Sequence, residues 1–481
     1  MNKLYKNWSL LTISNVIYQG LFFLSFVRIA RLFRPELYGV FTIIIASTQM
    51  AQILSSLGLQ QIVIREIARD HSRLFDVAKL TLLPTAAASL ASSGLLVLYL
   101  VVFEHIADNL VLLSSFLLLM GIMAWNYAEP LAFGQQRMKI SASINIVSSV
   151  VFIVALFIIP SGSFNIHIIL PIYVAVFLLR ALVYLLVEWK GGYFKRASKE
   201  IHRNITLKYL LSKSLAFYGT TLLAIPIVQL PILFLSQLSG EREVGYFGII
   251  SRLSLPLSLI ANNLFTAMYP VLAKFFVDDK PAFRQKAEKL FYLISIAGII
   301  LTSFLGFFSV EIVSLVLGPL YVNAARTFSL QVWATLLMIQ NTFIGTIFLA
   351  TDKERLMVKL SFLNSVIIGT ASYIGAHYGA FGLSLSLWIG LILGLIPHWY
   401  FVSKAVGLKF EARLVTLLSF YFLMLSGLSV VIFEVNLFVR ILIYISLSAL
   451  VFFTLKNYII SDIMNLMQAL RYYFKRRLPV S

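Results

Sequence analysis

Runs of about 20 predominantly apolar residues, the length that crosses a bilayer as a helix, recur from one end of this sequence to the other. That recurrence leaves few choices of fold. In lipid every backbone N–H and C=O must be paired within the protein, so spans are helices or strands of a closed barrel, and runs of this length are helical. We count 14 spans, at about 8–29, 39–59, 80–103, 110–130, 140–160, 168–188, 214–236, 245–273, 290–308, 328–350, 356–376, 380–402, 414–433 and 438–455. Composition agrees: 60% of the 481 residues are hydrophobic and 12% charged, against about 45–50% and 25% in soluble globular chains. The first run follows Lys3 and Lys6 as a secretory leader would. It is too long for one, and no small-residue cleavage site follows, so it reads as an uncleaved first span. The absence of cysteine excludes disulfides, thiol nucleophiles and thiolate metal sites, and the six histidines lack metal-ligand spacing.

Charge sets the orientation. Alternate connections hold 31 of the 39 Lys and Arg, including Arg65, Arg69, Arg73, Lys190, Lys195, Lys353 and Lys404. The opposite side holds Arg28, Arg31, Arg34, Arg242, Arg326 and Arg440, while Arg180 and Arg252 fall inside spans. The positive-inside rule then puts both termini in the cytoplasm, as an even span count requires. The net charge of +19 is mostly this topology signal and a match to anionic lipid. Nucleic-acid binding would need a soluble basic module, and no connection is long enough for one. A weak repeat is also present. Leu37-Tyr38-Gly39-Val40-Phe41 opens span 2 and Val244-Gly245-Tyr246-Phe247-Gly248 opens span 8, a little over 200 residues on. Six spans separate them, so the halves share orientation and are related about an axis along the membrane normal.

Five blocks resemble a known family. Ala30-Arg31-Leu32-Phe33-Arg34-Pro35-Glu36-Leu37-Tyr38-Gly39 is similar to the signature after the first span of polysaccharide transport proteins, with Arg34 where glycine is usual. Gly58-Leu59-Gln60-Gln61 through Arg65-Glu66-Ile67-Ala68 looks like their next block; Val244-Gly245-Tyr246 with Ser251-Arg252-Leu253, Leu317-Gly318-Pro319-Leu320-Tyr321 and Gly379-Ala380-Phe381-Gly382-Leu383 follow in order. The chain thus resembles the Wzx-type O-antigen flippases of the multidrug/oligosaccharidyl-lipid/polysaccharide exporter superfamily. The resemblance implies an all-α polytopic fold, with two six-helix lobes around a central cavity and alternating access. Residues 1–190 would form the first lobe and 214–403 the second, joined by a basic cytoplasmic loop, 191–213, with room for a short interfacial helix. Spans 13 and 14 (404–455) would be peripheral, and the basic tail 456–481 would lie on the membrane. It further implies the bacterial cytoplasmic membrane, a lipid-linked oligosaccharide such as an undecaprenyl-diphosphate repeat unit, and a polymerase and chain-length regulator as pathway partners.

Charges inside spans are the candidates for chemistry, since each costs roughly 2.5–3.5 kcal/mol to insert. At about 100° per residue, Tyr173, Arg180 and Tyr184 share one narrow face of span 6. A guanidinium grips phosphate oxygens bidentately and aromatic faces suit sugars; the alternative is an arginine snorkelling to the interface. Arg252 and Asn263 share a face of span 8 as a second candidate, against an interhelical hydrogen bond. Arg28 and Arg31 break the charge pattern at the outer end of span 1, either lining an anion cavity or sitting at the interface. For coupling to a proton gradient, a sodium gradient or the membrane potential there is Glu129, placed at the inner edge of span 4, and Gln229, which stands in span 7 where relatives commonly carry an acid. All 20 Asp and Glu read as loop or span-end residues, so the intramembrane charge is positive and suits an anionic substrate. No cofactor or metal is implied. Two other readings stay open: a cation-coupled multidrug exporter, which would want a buried carboxylate, and a polysaccharide polymerase, which would want a longer external loop than 309–327.

Overall fold

The computed structural model describes residues 2–190, 205–432, 435–451, 453 and 454. Among them every regular element is helical, as a chain that must satisfy its backbone in lipid requires. The α-helices are α1 (Asn2–Leu32), α2 (Pro35–Ser55), α3 (Leu59–Arg69), α4 (Leu74–Val102), α5 (Asn109–Gly134), α6 (Met138–Ile158) and α7 (Ile166–Lys190). After the basic loop come α8 (Leu207–Leu222), α9 (Ile225–Val228), α10 (Leu230–Ser239) and α11 (Glu241–Asp278). The series continues with α12 (Lys280–Phe307), α13 (Ser309–Leu317), α14 (Ala325–Ala350), α15 (Glu354–Ala376), α16 (Gly379–Val406) and α17 (Ala412–Val431). Thirteen helices are long and apolar enough to cross a membrane, and a shorter apolar helix, α18, spans Leu437–Val451. These account for the 14 expected spans. Of the basic loop expected over 191–213, residues 191–204 lie outside the described residues, and 207–213 form the start of α8 rather than loop; the amphipathic tail expected over 456–481 also lies outside the described residues.

The chain divides into two compact units, one of residues 1–253 with 368–383 and one of 254–367 with 384–481. Each is organised around one helix. In the first, α2 has 61% of its span buried; in the second, α14 has the same share. Polar side chains survive at these depths because they return hydrogen bonds to their own helix. The hydroxyls of Thr42, Ser47 and Thr48 donate to the carbonyls of Tyr38, Ile43 and Ile44 at 2.7–2.8 Å.

Within the first unit the two repeat motifs meet each other. A Cβ on Gly39 would overlap the carbonyl oxygen of Glu241, and one on Gly245 would overlap that of Pro35. Only glycine lets the backbones of α2 and α11 approach this closely. The contact is self-complementary: Pro35 and Glu241 each lie four residues before their motif's glycine, and each meets the other motif's glycine. That reciprocity is the mark of a two-fold relation. Glu36 and Arg242, each three residues before its glycine, form an ion pair at 3.5 Å.

In the second unit Trp333, fully buried, donates to Ser429 Oγ at 3.1 Å and ties α17 to α14. Arg440 of α18 grips Glu311 through both terminal nitrogens, at 2.5 and 3.0 Å, and donates to the carbonyl of Phe307 at 2.9 Å. Arg440, a departure from the charge pattern read in the sequence, therefore has structural partners.

Candidate functional site

Arg180 does not reach for the interface. Its side chain turns into the first unit and is 1% exposed. Nη2 donates to Asn145 Oδ1 of α6 at 2.5 Å, and Nη1 to the Tyr18 hydroxyl of α1 at 3.1 Å. The guanidinium carbon lies 3.7 Å from the centroid of the Trp125 ring of α5. Burying an unpaired cation would cost several kcal/mol; here two acceptors and a ring face replace water. Snorkelling is ruled out by this geometry, and the arginine is enclosed by four helices in this conformation.

One turn along α7, the fully buried Tyr184 donates its hydroxyl to Glu129 Oε1 at 2.9 Å. Glu129, expected at the inner edge of span 4, is followed by a further turn of α5, which continues past Pro130 to Gly134. Its carboxylate is within electrostatic reach of Arg180. An acid therefore stands inside the bundle, where the sequence reading placed only positive charge.

Arg252 sits on the part of α11 that belongs to the first unit. Its guanidinium carbon is 3.5 Å from the Phe26 ring centroid, and its charge acts on the Tyr38 hydroxyl. Tyr173, 7% exposed, links the two arginines. Its ring lies 6.3 Å from Phe26 and 5.0 Å from Phe177, and Phe177 is 5.5 Å from Arg180. Phe22, Phe41 and Phe152 pack around the same tyrosine at 5.2–6.3 Å. The result is an aromatic column with a guanidinium at each end. Arg28 lies over Phe157 and Phe164 at 5.0 and 5.7 Å, and Arg31 is exposed at the end of α1.

The remaining candidates stand apart. Asn263 is half-buried in the second unit, on the same continuous helix as Arg252 but beyond Pro256. Gln229 is buried at the break between α9 and α10, between Pro226 and Pro231. Its Nε2 donates to Gln49 Oε1 at 3.2 Å, and its own Oε1 has no partner among the described residues.

Comparison with known proteins places this geometry. The family model described as polysaccharide biosynthesis protein matches residues 4–276, more than half of the chain and all of the aromatic column. The chain belongs to the polysaccharide biosynthesis protein family. A relative within reach of sequence comparison is the capsular polysaccharide biosynthesis protein CapF of Staphylococcus aureus, 26% identical over 180 residues. That match covers 36% of this chain and 45% of the relative, so the chain spans less than half the length of the relative it matches. Among solved structures the fold is similar to the Lipid II flippase MurJ in an inward closed conformation, with TM-score 0.67 and 15% identity over 95% of this chain and 99% of that one. It is also similar to an inward-facing multidrug resistance MATE transporter, with TM-score 0.60 and 17% identity over 81% and 95%. At these identities the likeness concerns the fold.

In this member of the polysaccharide biosynthesis family, sequence reasoning missed the partners of the charges. Asn145, Tyr18 and Trp125 complete the Arg180 site; Asn145 carried a signal as a lone amide in an apolar span, and Trp125 as a tryptophan within a span that reads as core packing. It also missed Glu66, 1% exposed, whose carboxylate is held by Arg73 at 2.9 Å, Arg65 at 3.3 Å and Arg69 at 3.6 Å. The surrounding arginines read as topology charges, and the acid among them as one more surface residue.

Proposed function

We propose that this protein is a flippase that carries an undecaprenyl-diphosphate-linked oligosaccharide, an O-antigen or capsular repeat unit, from the cytoplasmic to the periplasmic leaflet by alternating access. Both termini face the cytoplasm of a bacterial inner membrane, and residues 1–190 and 214–403 act as the two lobes. The observation that carries the reading is the aromatic column flanked by Arg180 and Arg252 inside a membrane-spanning chain of a polysaccharide biosynthesis family. Guanidinium is the side chain suited to a diphosphate, and aromatic faces suit sugar rings and prenyl carbons. Arg28, Arg31, Arg252 and Asn263 contact the substrate as it passes; Arg180, Tyr173 and Tyr184 are covered in the conformation described and act when the bundle opens. The fold shared with a lipid II flippase and family membership support the same substrate class.

Transport by such a protein is not an enzymatic reaction, and its energy comes from an ion gradient or from the substrate's own charge. A polymerase and a chain-length regulator would act downstream on the flipped unit. A multidrug exporter would need a carboxylate free to meet an organic cation, whereas Glu129 is engaged by Tyr184. In cells lacking the gene, lipid-linked oligosaccharide should accumulate on the cytoplasmic leaflet and surface polysaccharide should vanish, both restored by the plasmid-borne gene. Normal surface polysaccharide in the deletion strain, with no second flippase gene present, would refute the assignment.

A further inference from the structure

We propose that His398 of α16 is the coupling site for protons, binding one between its imidazole and the side-chain oxygen of Asn364 of α15. The inference rests on the transport reading and names a residue for the ion coupling left open there. His398 is 4% exposed and stands eight residues, about 12 Å, short of the end of α16 at Val406. A titratable side chain buried within a span is a functional candidate by default, and imidazole is the one that gains and loses a proton nearest neutral pH. The bland alternative is a core histidine with both ring nitrogens satisfied, and the contacts differ from that. Nδ1 lies 2.8 Å from the carbonyl oxygen of Gly394, the ring's one hydrogen-bond partner among the described residues. A carbonyl oxygen only accepts, so Nδ1 carries the hydrogen. Among the described residues no carboxylate acts on the ring. Burying an unpaired cation is costly, so the imidazole is neutral in this conformation, with a bare lone pair on Nε2.

Asn364 supplies the other half of the site. It is 5% exposed, and its Oδ1 has no hydrogen-bond partner among the described residues. That oxygen lies against the backbone of Gly394, where any Cβ would overlap it, so glycine is what lets the amide come this close to α16. His398 is one turn on from Gly394, on the same face, and a helical side chain leans over the turn before it. Two buried acceptors, Nε2 and Asn364 Oδ1, therefore share one turn of α16 with no donor for either. One proton satisfies both: Nε2 binds it and donates to Oδ1, while Nδ1 keeps the Gly394 carbonyl. The two are not hydrogen-bonded in the conformation described. Drawing them together around a proton defines a second conformation, and an ion drives a transporter only through such a difference in affinity. The other titratable groups on the elements packed here are Glu288, Lys289 and Tyr292 of α12, Lys359 of α15, and Tyr400 and Lys404 of α16. Glu288 and Tyr292 accept from the backbone N–H groups of Lys409 and Glu411, Lys404 donates to Tyr400, and Lys359 is exposed. None of them is paired with His398 among the described residues.

Two measurements test the site, one of them without substrate. Full-length protein carrying isotope-labelled histidine is placed in lipid nanodiscs, and the His398 nitrogen resonances are assigned by their loss in His398→Gln. At high pH the hydrogen should be on Nδ1, the minor tautomer of free imidazole, and between about pH 5 and 8 a second proton should appear on Nε2. Asn364→Leu, which removes the acceptor for that proton, should lower the ring's proton affinity about tenfold, the worth of one hydrogen bond to a charged donor. Hydrogen on Nε2 throughout, or no protonation in that range, would overturn the site whatever the protein carries. The second measurement follows a fluorescent undecaprenyl-diphosphate-linked oligosaccharide in proteoliposomes. A gradient of one pH unit should speed its movement by the wild-type protein, by up to about tenfold. In His398→Phe the gradient should have no effect, while movement driven by membrane potential persists. An unchanged gradient effect in His398→Phe, or one abolished by Glu129→Gln instead, would overturn the coupling role. Loss of all movement in His398→Phe would make the residue structural and overturn it as well. No movement by the wild-type protein under any gradient would overturn the transport reading and the coupling role with it, and leave the proton site to the resonance measurement.

Discussion

Arg180 shows how a single charge can be affordable in a membrane bundle. Its guanidinium replaces water with Asn145, Tyr18 and the Trp125 ring, and the desolvated cation–π contact alone contributes about 2 kcal/mol. Arg180→Ala should therefore abolish polysaccharide export and also lower the thermal unfolding midpoint of the purified protein by several degrees. Arg180→Lys should recover part of the export, because ammonium lacks the planar fork. An Ala variant with full export at normal expression would make the residue dispensable. The common face of Tyr173, Arg180 and Tyr184 was legible from helical spacing. Its direction was not, since lipid and protein interior are equally apolar and hydropathy does not separate them. The engagement of Glu129 by Tyr184 was not legible for a related reason: which residues of a neighbouring helix face an acid near a span end is not written in its hydropathy. Gln229→Glu should keep most transport, measured as export in complemented cells, because the partly solvent-accessible Gln49 can follow the change. If Glu129 carries the coupling proton, Glu129→Gln should remove the dependence of transport on a pH gradient.

At the level of elements, the α2–α11 crossing is the contact with least tolerance. Backbone meets backbone at Gly39 and Gly245, so no rotamer change can relieve an added side chain. Gly39→Leu and Gly245→Leu should each prevent accumulation of folded protein, read by size-exclusion chromatography of the detergent extract. Gly20→Ala, at a position with no heavy atom within 4 Å of a new Cβ, should behave as wild type. The two motifs were recognisable as a repeat from their spacing and span numbers. That they touch was not, because similarity of two segments says nothing about their adjacency. The amphipathic α3 also escaped notice: its arginines served the topology argument, and the buried Glu66 that gathers them became visible only once α3 and the following turn were folded.

For the whole molecule, the spans were the most legible feature, since they follow from lipid acting as solvent; the orientation is an expectation from the charge pattern. Reporter fusions after Lys353 should read cytoplasmic, and fusions after Asp108 and Asn165 periplasmic; a reversal at either side would break the 14-span arrangement. The proposed substrate is less legible, because aromatic faces suited to sugars look like core in a sequence. The claim that an anionic lipid-linked oligosaccharide is carried is tested most directly in proteoliposomes, by following its movement between leaflets while pH, sodium and voltage gradients are imposed one at a time. Substrate-charge coupling predicts movement in the wild-type protein that slows when the membrane potential is collapsed, since an elementary charge is worth about 2.3 kcal/mol per 100 mV, and that is lost in Arg180→Ala. No movement under any gradient, or movement unaffected by loss of Arg180 and Arg252 together, would contradict the account.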